Sequence, residues 1–251
     1  MTAAALTADD AGPLAFFKAL HDAYSQTLER FRGNPRLIDA VLSQAFDSFE
    51  GNVALQSEGQ PEIACHKGCA TCCTLRVSAT SPEVLLIARF MRAARPALAR
   101  MGIDLEQRVF DADKITRGLD EAARVKLRRR CPFIEKGACL IYAVRPLACR
   151  GHASLDVRAC VDAAAGRADS VPYSEPHMVV RSLVQNAMQS ALRDAGYAWD
   201  TQELNHALSM ALRDDLEPAW TAGADPLAAA TIADEIGAAE MARTFDAIKA
   251  A

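Results

Sequence analysis

Long alternating runs of β-branched residues are nearly absent from this 251-residue chain, which argues against a sheet-based fold. The longest aliphatic stretch, Val84-Leu85-Leu86-Ile87-Ala88, is broken by Arg89 and falls far short of the roughly 20 apolar residues that cross a bilayer. The first residues lack a basic region, carry Asp9 and Asp10, and never build the apolar run of a signal peptide. The expectation is a cytoplasmic protein with no membrane segment. Neither charge sign dominates: 28 basic against 32 acidic residues leave −4, too small an imbalance to gather nucleic acid or an anionic membrane. Fixed-period repeats, low-complexity tracts, a glycine-rich nucleotide loop after a strand, a Ser/His/Asp set and paired carboxylates are all missing. Tyr142 and Asp156 are candidates for acid–base work were the protein an enzyme, and no catalytic residue is assigned.

What the chain does have is apolar residues at helical spacing. With 51% of its residues hydrophobic, it can bury a substantial core without covalent staples. Leu14, Phe17, Leu20, Tyr24, Leu28 and Phe31 recur at three and four, predicting a helix from Pro13 to about Asn34, with a second from Pro35 to Phe49. Ser81-Pro82-Glu83 reads as a helix start, with Ser81 the cap and Pro96 expected to end or kink the helix. A charged helix is predicted over Leu105 to Arg130, broken by Cys131-Pro132. Residues 131–175 read as irregular backbone with short helical or strand pieces, and three further helices are placed near 177–195, 201–217 and 226–249. The class is mainly α: a helical scaffold over 1–64, an irregular, loop-rich cysteine-cluster core over 65–175, and C-terminal helices over 176–251, together forming one domain. The alanine-rich C-terminal helices suit either a dimer contact or the closing of the monomer's own core, so the oligomeric state stays open.

The informative residues are eight cysteines, none before residue 65 or after 160, four of them between Cys65 and Cys73. Without a secretion signal, such a set points away from disulfides and toward metal or catalysis. Cys65, Cys69, Cys72 and Cys73 stand at i, i+4, i+7 and i+8, sharing one face within roughly 100° if helical, although Gly68 interrupts that helix. Cys69 and Cys72 keep a chelating C-x-x-C spacing either way. Cys131, Cys139, Cys149 and Cys160 are too widely spaced to close a site locally, so the fold must carry them to the first four, making metal a tie between distant segments. Core-filling cysteines come singly or in pairs, and a redox dithiol at Cys69–Cys72 lacks its βαβ context. The triad Cys65, Cys69 and Cys72 also matches the spacing with which radical S-adenosylmethionine enzymes hold a 4Fe–4S cluster, but helices rather than an alternating barrel come after it. All eight cysteines are therefore candidate metal ligands, for an iron–sulfur cluster (4Fe–4S preferred) or zinc, in one site or two. Arg145 and Arg150 are placed beside the ligands as charge-compensating neighbours of the cofactor. His66 and His152 adjoin the ligands but read as exposed or supporting. His21, His177 and His206 are assigned nothing. The basic run Arg124, Lys126, Arg128, Arg129 and Arg130 reads as a solvated helix end rather than a nucleic-acid surface.

The pattern Cys65-x₃-Cys69-x₂-Cys72-Cys73, Cys131-Pro132-Phe133, Gly137-x-Cys139-x-Ile141-Tyr142 and Arg145-Pro146-x-x-Cys149-Arg150 resembles the YkgJ-type, or CxxCxxCC, cysteine-cluster family, regarded as zinc- or iron-chelating. The likeness covers about residues 65–160. It implies a metal-binding protein, with metal ions as partners and a protein partner left open. The same module is similar to that of flagellin lysine N-methylases, a family associated with an iron–sulfur cluster and methyl transfer, so a redox or methylation-related role is one implication. A structural zinc module and a metal storage or delivery protein are the alternatives. The first gap here is x₃ where the family has x₂, which sets Cys65 apart from Cys69, Cys72 and Cys73.

Overall fold

The computed structural model describes residues 12–233 and 236–251. Residues 1–11, on which the expectation of no signal segment rests, and 234–235 lie outside it. The described residues are mainly helical. Helix α1 (Pro13–Arg30) buries Phe17, Leu20, Tyr24 and Leu28, the stripe its spacing predicts. Helix α2 (Leu37–Gln56) runs past the predicted Phe49 because Val53, one turn further on, is also buried. Both pack on α8 (Glu175–Asp194), which presents Val180, Val184, Ala187, Met188 and Ala191.

Helix α3 (Ser81–Arg100) starts at the predicted cap, one residue earlier than expected. Thr80 is the N-cap, and Ser81, Pro82 and Glu83 fill the first turn. Glu83 completes a capping box: its Oε2 accepts from the Thr80 N–H and hydroxyl, both at 2.8 Å. Its other oxygen accepts from the Leu147 N–H at 2.7 Å. Burial pushes the Glu83 carboxyl above its ordinary value, and these three donors oppose that shift. Pro96 does not end α3. The fully buried stripe of the helix stops at Met91 and Pro96 itself is exposed, so water can take the carbonyl that proline leaves unpaired.

The predicted helix over 105–130 is two helices, α4 (Leu105–Thr116) and α5 (Glu121–Leu127). Gly118, at φ +73°, ends the first, and Asp120 caps the second by accepting from the Ala123 N–H at 2.7 Å. Strand β1 (Ser78–Thr80) pairs antiparallel with β4 (Thr201–Glu203), Ala79 opposite Gln202. These strands feed α3 and α9 (Leu204–Arg213), which pack on each other and on α4. The C-terminal segment holds α10 (Glu217–Thr221), a 3₁₀ turn at Ala228–Ala230 and α11 (Ala238–Ala250) in place of the helix expected from 226. Phe133, Ile141 and Leu147 of the cysteine segment belong to the same buried cluster as Phe17 and Phe245.

Glu83→Gln keeps one acceptor oxygen and strands a donor on either the α3 side or at Leu147. Urea unfolding should show a loss of about 2 kcal/mol. An unchanged midpoint would mean that this carboxylate is not what joins the two segments.

Candidate metal centre

The first cysteine run is not a helix. Gly68 takes φ +96°, and the backbone folds into successive turns, with Cys69 N–H donating to His66 O at 3.0 Å and Cys73 N–H to Ala70 O at 3.2 Å. The shared helical face expected of Cys65, Cys69, Cys72 and Cys73 is therefore replaced by a wrapped loop. Three seams fix that loop to the second run. At its start, Ala64 N–H donates to Ser154 O at 2.8 Å, and the Cys65 sulfur accepts from Ser154 N–H at 3.4 Å. At its middle, Gly137 lies against Gly68, where a Cβ would come within 3.1 Å of Gly68 O. At its end, Cys131 N–H donates to Cys73 O at 2.7 Å.

The second run is shaped by a hairpin of β2 (Ile134–Glu135) and β3 (Ala138–Cys139), with Ile134 opposite Cys139. Both turn residues, Lys136 and Gly137, have positive φ, the conformation of the tightest hairpin turns. Cys131 precedes this hairpin and Cys139 ends it. Both pack against the hydrophobic core. Cys149 lies in α6 (Leu147–Gly151), whose first N–H is the one held by Glu83. There Gly151 sits so close to α8 that a Cβ would run into the Arg181 side chain. Cys160 is on α7 (Val157–Ala164), capped by Asp156 accepting from Arg158 N–H at 2.7 Å and Ala159 N–H at 3.2 Å. That cap is the role the structure gives Asp156.

All eight thiols are free, and they act on one another electrostatically. Burial pushes the Cys149 thiol up, with Cys131, Cys139 and Cys72 adding to it and Arg145 opposing. Cys131 is pushed up to about 12, first by burial, with Cys139 and Cys72 adding and the Phe133 N–H and Arg124 opposing. Cys139 is raised by burial, against the Ile141 N–H and Arg145. Cys72 is raised first by its hydrogen bond with Cys73 and then by burial. Cys160 is raised by burial, with smaller contributions from Cys65, Cys72 and Cys69 and a hydrogen bond to Ser154 working against them. Thiols of the two runs thus influence one another, and the backbone seams hold the runs side by side. Among the described residues, no three Cys, His, Asp or Glu side chains already stand as a set of metal ligands, so binding must draw the sulfurs together. The donor set nonetheless fits a thiophilic metal: soft donors gather in a partly buried segment, and Cys72, Cys131 and Cys139 each raise a neighbouring thiol's cost of ionising.

The arginines divide. Arg145 stays with the thiols, opposing the rise of Cys72, Cys139 and Cys149. Its guanidinium lies over the Tyr142 ring at 4.2 Å, and its buried Nε has no hydrogen-bond partner. Tyr142 is otherwise exposed. Arg150 instead donates to Arg145 O at 2.9 Å, Ala143 O at 2.8 Å and Glu50, with its guanidinium over the Phe46 ring; it braces the loop against α2. Arg124, read from sequence as part of a solvated helix end, is buried. It donates to Leu75 O at 3.3 Å and favours ionisation of Cys131. The rest of that basic run is exposed, and Arg128, Arg129 and Arg130 line a groove of about 630 Å³ beside Cys131. His66 is exposed and bonded to Ala64 O, while His152 packs edge-on to Tyr173.

Arg150→Ala should lower the unfolding free energy by about 2–3 kcal/mol, since it removes two backbone hydrogen bonds and a buried guanidinium packed on Phe46. Arg145→Gln should leave stability within about 0.5 kcal/mol, because that side chain makes no comparable set of bonds. Equal losses in the two variants, read by urea unfolding, would contradict this division.

No curated protein and no solved structure matches the chain. Residues 64–167 match the family model CxxCxxCC, described as "Putative zinc- or iron-chelating domain". That span takes in all eight cysteines, the hairpin and α6–α7, and over it the chain is similar to the CxxCxxCC family.

Proposed function

We propose that the protein is a metalloprotein whose cysteines hold iron, as an iron–sulfur cluster, and that the surrounding helices keep that centre in one shape. The observation that carries this reading is the convergence of thiols from both runs around Cys72, with no other soft donor in the set. Arg145 and Arg124 supply positive charge where the thiolates would accumulate negative charge. Phe133, Ile141 and Leu147, each two residues from a second-run cysteine, are buried, and apolar surroundings of that kind limit solvent access and favour delocalised charge over exposed ions. When bound, such a cluster supplies one-electron transfer, so the role that fits is redox. Zinc is the second reading: four thiolates suit it equally, and the backbone seams already tie the runs together in the way a structural zinc would reinforce.

Protein purified without oxygen should be brown, contain iron and acid-labile sulfide in matching amounts, and bleach on reduction. A colourless protein holding zinc without iron or sulfide would move the assignment to the structural zinc module. A protein that keeps no metal at all, after purification without chelators, would overturn both.

A further inference from the structure

Helix α5 ends in a turn that delivers three charges to one groove. Arg128, its C-cap, takes φ +52°, the left-handed conformation that glycine adopts readily and arginine rarely. The turn leads Arg128, Arg129 and Arg130 off the helix, and all three are exposed and line the groove beside Cys131. The other charges there are already matched. Arg108 pairs with Glu135 at 2.8 Å, and Asp111 with Lys114 at 3.2 Å. Hydrogen bonds from Lys114 and Gln107 hold the Asp111 carboxyl below its ordinary value, with a smaller pull from Arg129. Among the described residues, no carboxylate forms an ion pair with Arg128, Arg129 or Arg130.

The same groove exposes apolar side chains. Ile115 of α4 and Leu127 of α5 line it and are 43% and 39% exposed. Unpaired arginines beside exposed aliphatic surface are the composition of a protein interface, where arginine is enriched and lysine depleted. Nucleic acid fits less well. Among the described residues, none of those lining the groove is aromatic, so bases have nothing to stack on, and Asp111 stands against phosphates. A net charge of −4 adds no long-range pull on a polyanion. A free phosphate would use the guanidiniums but leave Ile115 and Leu127 bare.

From this lining we infer that the groove docks an acidic segment of another protein. Arg128, Arg129 and Arg130 take its carboxylates, in the forked geometry that guanidinium offers, and an apolar side chain of the segment covers Ile115 and Leu127. Nothing in this docking requires a metal on the cysteines.

Fluorescence anisotropy on the full-length protein tests it with two labelled peptides of equal charge, Asp-Glu-Leu-Asp-Glu-Leu and Asp-Glu-Ser-Asp-Glu-Ser, and an oligothymidylate of the same charge. The leucine peptide should bind tightest, weaken as salt rises, and lose about tenfold or more in affinity to Arg128→Gly/Arg129→Gln/Arg130→Gln. Ile115→Ser should bring the leucine peptide down to the affinity of the serine peptide, whose own binding stays unchanged. The triple variant should unfold in urea at the native midpoint or above it, because glycine suits the left-handed position and the other two sites are exposed. A lower midpoint moves the comparison to Arg129→Gln/Arg130→Gln, whose expected loss has the same sign. Equal binding by native and variant protein, or no binding of either peptide, would overturn the inference. So would tighter binding of the oligothymidylate, which would make the groove a nucleic-acid surface, or displacement of the leucine peptide by equimolar inorganic phosphate, which would make it a simple anion site.

Discussion

Glu83 accepts hydrogen bonds from Thr80 and from Leu147, residues separated by more than sixty positions, with a carboxylate that is almost fully buried. Burying an ionisable group carries a desolvation cost, which only a full set of donors offsets. The donors here come from the start of α3 and the start of α6. One side chain therefore caps a scaffold helix and positions the turn that bears Cys149. The strand pair β1–β4 sits directly behind Thr80, so the C-terminal helices are indexed to the same point. The position of Cys149 relative to the core thus depends on a polar contact, while the seams at Ser154, Gly68 and Cys73 set the first run against the second.

That arrangement explains why the thiols fit metal better than they fit each other. A half-buried cysteine is unremarkable as a neutral group, because the thiol behaves as a small apolar residue. Several together become costly once any of them ionises, and Cys131, Cys139 and Cys149 are each held above the ordinary thiol range. On the proposed reading, a cation entering among them would displace their protons and remove the repulsion in one step, which would couple its binding energy to the docking of the two runs. Arg124 and Arg145 contribute part of that compensation from the protein itself.

Much of this is legible in the sequence. The α1 stripe, the mainly α class and the grouping of cysteines into two runs all come from spacing, since periodicity is a local property. The misses have identifiable causes. Gly118 and then Asp120 make a helix stop and a helix start within a few residues, a signal present in the chain but outweighed by the charged pattern around it. Pro96 is tolerated because it falls on the exposed side of α3, which depends on tertiary packing. Gly68 turns the first run into loop, so its cysteines are arranged by contacts to Ser154, Gly137 and Cys131 that no local pattern encodes. The arginines are the least readable: Arg145 and Arg150 look alike in sequence, yet one faces sulfur and the other Glu50, while Arg124 is buried within a run that otherwise reads as solvated.

If thiolates from both runs bind the metal directly, X-ray absorption at the metal edge of the natively purified protein reads it without any substitution. The expected result is a first coordination shell made of sulfur, with metal–metal scattering from the cluster. A shell dominated by oxygen or nitrogen would contradict it.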